Sequence, residues 1–275
     1  MGGFFTLIKE FFVALSNKKG ATLAGALVFF TLLGIVPVTY IVSLIFSIFG
    51  TEIEMINKLF SYPEFNEIAI YLTETAKKMG ASGNILVFLV ALYSSGNVFY
   101  HLKQSGEVIY NYSKKSGIIT RLFSVLFTFL AVFALSLCLV FYLAVIPVII
   151  RFLGYKITAI LNIIIALVLV FFLSILINLY ACPYKLEFYE VYKGALFTTA
   201  FTFVATYLFL IYLRYFSNFN EIYGKVATVI VFLSWLYLMI KGVVNGIILN
   251  VFLIGKTKRV KGVESIKILK PNAKN

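Results

Sequence analysis

A lysine stands in the middle of the last long apolar run of the chain. Lys241 is the only charged residue within Val226–Ile254, a run long enough to form one membrane-spanning helix. An ammonium at the bilayer centre costs about 3 kcal/mol on insertion scales, so such a residue usually faces the protein interior, a partner or a water-filled cavity. A cation held between helices would attract a phosphate or carboxylate headgroup.

Further polar residues share helix faces that could complete a ligand site. At 100° per residue, Tyr223, Ser234 and Asn245 fall within about 40° of the line through Lys241. In an earlier apolar stretch Ser94, Asn97 and His101 share one face, which serves either hydrogen bonding between helices or a pathway through the membrane. The alternative for Lys241 is that the helix stops near Ile240 and the ammonium extends to the interface.

The available side chains argue against metal or acid–base chemistry. Every acidic residue is Glu, there is no Asp, and the chain has one His. Hydrolytic metal sites and general acid–base pairs need residues of these kinds in clusters. We therefore expect no catalytic residue, no metal site and no cofactor.

Composition indicates an all-α membrane protein with several spans. Hydrophobic residues make up 61% and charged residues 13% of the chain, against about 25% charged in soluble domains. Apolar intervals, free of charge except for Lys241 in the last one, predict six transmembrane helices at 21–47, 85–102, 122–149, 157–182, 194–213 and 226–254. Short amphipathic helices at the interface are predicted within 1–19 and 52–79, and residues 256–275 form a basic tail.

Basic residues predict the orientation of the spans. With a cytoplasmic N-terminus, the inside segments carry sixteen Lys and Arg residues and the outside segments seven. The positive-inside rule then places both termini in the cytoplasm, and the basic tail faces anionic lipid. No aromatic residue interleaves with the charges of the tail, so we expect no nucleic-acid partner.

Local patterns predict how some of these helices meet. Thr198, Thr202 and Thr206 recur every fourth residue and form a ridge of small side chains against which another helix can pack. Ser174, Asn178 and Cys182 share one helix side. The short segment Arg151–Lys156 predicts a turn, and Lys185–Lys193 a polar connection. Cys138 and Cys182 lie in apolar runs and are expected to be buried without a disulfide.

Four segments together resemble the YihY/BrkB family of bacterial inner-membrane proteins. They are KGATLAGALVFFTLLGIVPVTYI (Lys19–Ile41), LVALYSSGNVFYHL (Leu89–Leu102), YKGAL (Tyr192–Leu196) and NEIYGKVATVIVFLSWLYL (Asn220–Leu238). The resemblance implies six transmembrane helices. It also implies structural roles for the motif positions Gly34, Pro37, Gly194, Gly224, Trp235, Gly246 and Asn250.

The chain departs from the family pattern at two positions. Gly34 stands where the family commonly has Ser, and Ile248 stands where it commonly has Glu. A role of that carboxylate cannot be carried over to this chain. Because Lys241 lies two turns before Ile248 on nearly the same face, a changed charge in that region is one hypothesis.

Three functional interpretations follow. The first is transport or translocation of a lipid or other anionic amphiphile, suspected for the family and favoured by the intramembrane Lys241. The second is a non-transporting scaffold or envelope-integrity factor, in which polar residues only join helices. The third is ribonuclease activity, which an older label of the family implies. The scarcity of acid–base residues in this chain disfavours it. The expected partners are membrane lipids, mainly anionic, and a small amphiphilic substrate; the oligomeric state stays open.

Overall fold

The structure is a computed structural model that describes residues 10–13, 15, 20–48, 81–112, 117–184, 186–216 and 219–257. Within these ranges the chain is all-helical, with turns and no strand. The predicted interfacial segment 52–79 lies outside the described residues. So do most of the N-terminal segment 1–19 and all but the first two residues of the tail 256–275.

Five long helices follow one another along the described chain. They are α1 (Gly20–Ile48), α2 (Ala81–Ile109), α3 (Ile118–Ala181), α4 (Phe188–Phe216) and α5 (Phe219–Thr257). Long apolar side chains interrupted by few charges favour such helices in a bilayer, where every backbone amide needs an internal partner.

Four helical stretches are long and apolar enough to cross a membrane, among the described residues. They are Ile118–Cys138, Ile160–Ala181, Phe188–Tyr212 and Val229–Ile254, and each overlaps one of the predicted spans. The predicted count of six is not confirmed. In α1 the described apolar stretch is the shorter Gly20–Ile35. Polar residues such as Asn97, His101 and Lys103 interrupt the apolar sequence of α2.

The predicted turn at Arg151–Lys156 coincides with a break inside α3. Gly154 has φ 74° and ψ 163°, a backbone conformation that is essentially restricted to glycine. The residues on either side return to helical geometry. Gly154 thus separates the first half of α3 from the second.

The predicted connection Lys185–Lys193 is shorter than expected, because α4 already begins at Phe188. The backbone N–H of Glu187 donates to Oε2 of Glu190 at 2.9 Å, as in the capping box that satisfies free amides at a helix start. A carboxylate in the first turn also favours the helix electrostatically. The polar residues Glu190 and Lys193 are therefore part of the helix.

The chain divides into two compact units, each with its own apolar core. Unit 1 comprises Met1–Val28, Leu102–Lys115 and Ile165–Asn275, and unit 2 comprises Phe29–His101 and Ser116–Ile164. In unit 1 the buried residues Ile175, Val191 and Ala195 pack together. In unit 2 a cluster of Ile41, Ala91 and Val132 joins α1, α2 and the first half of α3.

The break at Gly154 yields a stability prediction. We expect Gly154→Ala to lower the free energy of unfolding by about 1–3 kcal/mol, because alanine is strained in this conformation. Gly25→Ala is the matched control, since a Cβ there would meet nothing within 4 Å. Thermal unfolding in detergent measures both variants. Equal unfolding temperatures for the two would contradict the strained-turn assignment.

Candidate functional site

Small residues allow α4 and α5 to pack closely, as the threonine ridge predicts. A Cβ on Gly246 would overlap the hydroxyl of Thr198, and one on Gly194 would overlap the carbonyl oxygen of Gly246. Farther along the ridge, Nε1 of Trp235 lies 3.4 Å from the hydroxyl oxygen of Thr206. The ridge is confirmed as a packing surface, and Gly194, Gly246 and Trp235 all lie on this interface.

Asn250 joins three helical segments through a single buried amide. Its Oδ1 accepts the N–H of Gly194 at 2.8 Å, and its Nδ2 donates to Oδ1 of Asn178 at 2.8 Å and to the carbonyl of Val191 at 3.1 Å. Asn178 in turn donates to the carbonyl of Ser174 at 2.7 Å. We call Asn178, Val191, Gly194 and Asn250 the Asn250 cluster. It ties the second half of α3 to α4 and α5.

Lys241 lies in the middle of a continuous helix. Because α5 runs from Phe219 to Thr257, the helix does not stop near Ile240, and Lys241 falls near the midpoint of the span Val229–Ile254. Its side chain is half-buried, and Nζ lies 5.5 Å from the ring centroid of Tyr237. Such an ammonium–ring contact is worth roughly 0.5–1 kcal/mol at exposed sites and about 2 when desolvated.

The remaining residues of the Lys241 line differ in environment. Asn245, one turn farther on, is only 9% exposed, and its side chain forms no hydrogen bond with the described part of the chain. Ser234 is exposed and donates to the carbonyl of Ile230 in its own helix at 2.8 Å. Tyr223 and Gly224 belong to α5, but their side-chain environments lie outside the described residues. Lys241 and Asn245 are thus the polar pair of this face.

The second set of predicted ligand-site residues, Ser94, Asn97 and His101, lies in unit 2. Ser94 is half-buried, Asn97 accepts a hydrogen bond from Arg121 at 3.2 Å, and the ring of His101 stacks on Phe30 with centroids 3.4 Å apart. Arg121 was not among the sequence candidates, because its contact with Asn97 joins residues that are 24 positions apart.

Two further motif positions contribute to packing in α1. Gly34 faces α2, where a Cβ would lie 2.7 Å from the side chain of Val98, so glycine permits this close approach. Pro37 lies inside α1 and is half-buried.

Ile248, in α5, is almost fully buried and would contact a Cβ on Gly20 at 3.1 Å. The position at which the family commonly has Glu is therefore an apolar core position in this chain.

Lys103 caps the C-terminal end of α3. Its Nζ donates to the carbonyl of Tyr180 at 3.0 Å and to that of Cys182 at 2.5 Å. A cation at a helix C-terminus satisfies free carbonyls and opposes the helix dipole. Burial lowers the pKa of Lys103, although neighbouring Cys182 and Glu107 oppose this shift.

Cys182 lies beside this cap and is buried, as predicted, whereas Cys138 is exposed. The expectation for Cys138 was wrong, because its helix face carries exposed residues such as Leu135 and Leu137 and is not covered by the described chain. Burial raises the pKa of the Cys182 thiol, and burial also raises the pKa of Tyr110 well above its ordinary value. Both groups are therefore protonated near neutral pH, and both cysteines are free.

Within the described ranges, no group of three or more His, Cys, Asp or Glu residues could hold a metal ion. The polar groups of the Asn250 cluster and of the Lys103 cap have protein partners. Lys241 and Asn245 lack such hydrogen-bonding partners in the described chain, so this pair is the candidate ligand site.

The Asn250 cluster predicts a large effect of one substitution. Asn250→Leu removes three buried hydrogen bonds and puts a branched side chain against Gly194. We expect the free energy of unfolding to fall by about 2 kcal/mol, measured by denaturant titration in detergent. Asn162→Leu is the control, because the buried Oδ1 of Asn162 has no hydrogen-bond partner in the described structure. A loss for Asn162→Leu as large as that for Asn250→Leu would contradict this account.

The lysine cap gives an independent prediction. Lys103→Met should destabilise the protein by about 1–3 kcal/mol, because two helix-end carbonyls lose a charged donor. Amide hydrogen exchange should accelerate at 182–184. Lys193→Met is the control, since Lys193 is exposed and its Nζ lies 5.8 Å from the ring centroid of its neighbour Tyr192. Unchanged exchange at 182–184 in Lys103→Met would show that the cap does not hold this segment.

Comparison with known proteins adds the family. A family model described as virulence factor BrkB matches residues 11–265, which is most of the 275-residue chain. Searches of curated proteins and of solved structures found no match to the chain. The family match agrees with the apolar helices described above. The chain belongs to the BrkB family (YihY/BrkB) of membrane proteins.

Proposed function

We propose that this protein binds a lipid or another anionic amphiphile within the membrane and translocates it, with Lys241 holding the anionic headgroup. The observation that carries the proposal is Lys241, a half-buried residue at the middle of the span Val229–Ile254. A charge in that position is costly and needs a compensating partner. An anionic headgroup supplies one.

The surroundings of Lys241 support this assignment. No carboxylate of the described chain forms an ion pair with it, and its nearest described partner is the face of the Tyr237 ring. Asn245, one turn from Lys241, is 9% exposed, and its amide forms no hydrogen bond with the described chain. A headgroup that accepts from Lys241 and pairs with Asn245 would satisfy both groups.

Translocation requires a source of energy or a gradient. The sequence has no G-x-x-x-x-G-K-[ST] phosphate-binding motif, so we propose coupling to an ion gradient, to a partner, or to the gradient of the amphiphile itself. The excess of Lys and Arg in alternate connections supports a bacterial cytoplasmic membrane location with both termini in the cytoplasm.

A scaffold role is the second candidate. It is favoured by the Asn250 cluster, in which every polar group of Asn250 has a protein partner. If Lys241 also served only packing, its replacement would change stability and leave lipid binding unchanged.

Native mass spectrometry of protein gently released from membranes separates these functions. Lys241→Met should retain about tenfold less anionic lipid than wild type, because one charge-assisted hydrogen bond is worth about 1.5–3 kcal/mol. Lys241→Arg keeps the charge and should retain the lipid, and Lys193→Met is the control for loss of one surface charge. Equal lipid retention by wild type and a folded Lys241→Met would refute the proposal and favour the scaffold.

A further inference from the structure

A second cation in unit 2 is held in a fixed geometry by its neighbours. Arg121 lies near the start of α3, and its Cζ is 5.0 Å from the ring centroid of Tyr93 and 5.3 Å from that of Tyr100. Its Nη2 donates to Oδ1 of Asn97 at 3.2 Å. Tyr93, Asn97 and Tyr100 follow one another at helical spacing on one face of α2. We call these four residues the Arg121 cage.

The cage orients the guanidinium without neutralising it. Tyrosine rings and an amide oxygen carry no net charge, and Arg121 forms no ion pair with the described part of the chain. A guanidinium has five N–H donors in a planar fork, and Asn97 accepts from one nitrogen. Arg121 is exposed, and the donors that Asn97 does not use suit a bidentate phosphate or carboxylate.

The surface around the cage is apolar. On α3 the side chain of Ile118, three residues before Arg121 and therefore on the same side of the helix, is 82% exposed. On α2 the residues just before Tyr93, Leu89 and Val90, are also exposed. Such a surface on a membrane protein contacts acyl chains. Because Arg121 lies near the first residue of the span Ile118–Cys138, its guanidinium lies at the level of the headgroups, where tyrosine is also enriched.

We infer that the Arg121 cage is a binding site for the phosphate of an anionic lipid headgroup. The guanidinium fork binds the phosphate oxygens, and the exposed side chains of α2 and α3 contact the acyl chains. A lipid with net negative charge is preferred over a zwitterionic one, because the cage carries one positive charge without a counter-charge.

This site is separate from the one proposed at Lys241. It lies in the other compact unit, uses different residues and requires no transport. A failure of the Lys241 proposal leaves the Arg121 cage unaffected, and the reverse also holds.

Lipid competition on the full-length protein tests the inference. Purified protein is titrated with phosphatidylglycerol and phosphatidylcholine, and native mass spectrometry gives the ratio of the two bound lipids. Arg121→Gln should lower the preference for phosphatidylglycerol about tenfold, as expected for loss of a charge-assisted contact. Arg121→Lys should give an intermediate preference, because lysine keeps the charge without the planar fork. Arg151→Gln removes another exposed arginine and should leave the preference unchanged.

Two further measurements make the result unambiguous. Asn97→Leu keeps the positive charge but removes the hydrogen bond that orients the Arg121 guanidinium. It should therefore also weaken the preference for phosphatidylglycerol. If Arg121→Gln does not fold, Asn97→Leu alone tests the site. Arg121→Gln should lower the preference for phosphatidylglycerol by the same factor whether residue 241 is Lys or Met, because the two sites are independent.

Three results would overturn the site. The first is an unchanged preference in both Arg121→Gln and Asn97→Leu, or in Asn97→Leu alone where Arg121→Gln does not fold. The second is an equal loss in Arg151→Gln, which would indicate nonspecific charge. The third is complete displacement of phosphatidylglycerol by excess inorganic phosphate, which would indicate a site for a free anion instead of a lipid.

Discussion

The side-chain amide of Asn250 is the interaction on which the architecture of unit 1 depends. One amide bonds to the second half of α3 through Asn178 and to α4 through Val191 and Gly194. In a bilayer the hydrophobic effect does not drive helices together, so close packing and hydrogen bonds must hold them. Glycine at position 194 is needed because any larger residue would overlap Asn250 and the opposing backbone of Gly246. The hydrogen bonds of Asn250 therefore depend on the close helix approach that Gly194 and Gly246 allow, and they also hold the helices at that distance.

The polar residues of α5 therefore fall into two sets with different surroundings. Asn250 lies about 180° around the helix from Lys241, and its face is satisfied by protein contacts. On the other face the side chains of Lys241 and Asn245 have no hydrogen bonds to the described chain. A helix fixed firmly along one side can present a costly cation on the other, because the packing on the first side offsets that cost.

The sequence predicts those features that depend on local spacing. The threonine ridge from Thr198 to Thr206 follows from a repeat of four, and the break at Gly154 follows from charges at Arg151 and Lys156. Features that depend on distant contacts were not predicted. Lys103 donates to carbonyls 77 and 79 residues away. Arg121 contacts Asn97, which is 24 positions away, so the residues next to Arg121 in the sequence do not predict this contact. The exposure of Cys138 was missed because hydropathy cannot distinguish a lipid-facing position from a protein core.

An experimental structure of the full chain in a bilayer containing anionic lipid would test the central claim most directly. The account predicts a headgroup whose oxygens lie within hydrogen-bond distance of Lys241 Nζ, with Asn245 paired to the same group and the Asn250 cluster intact. A Lys241 ammonium that is bonded to protein carbonyls or to a glutamate, with no headgroup beside it, would contradict the account.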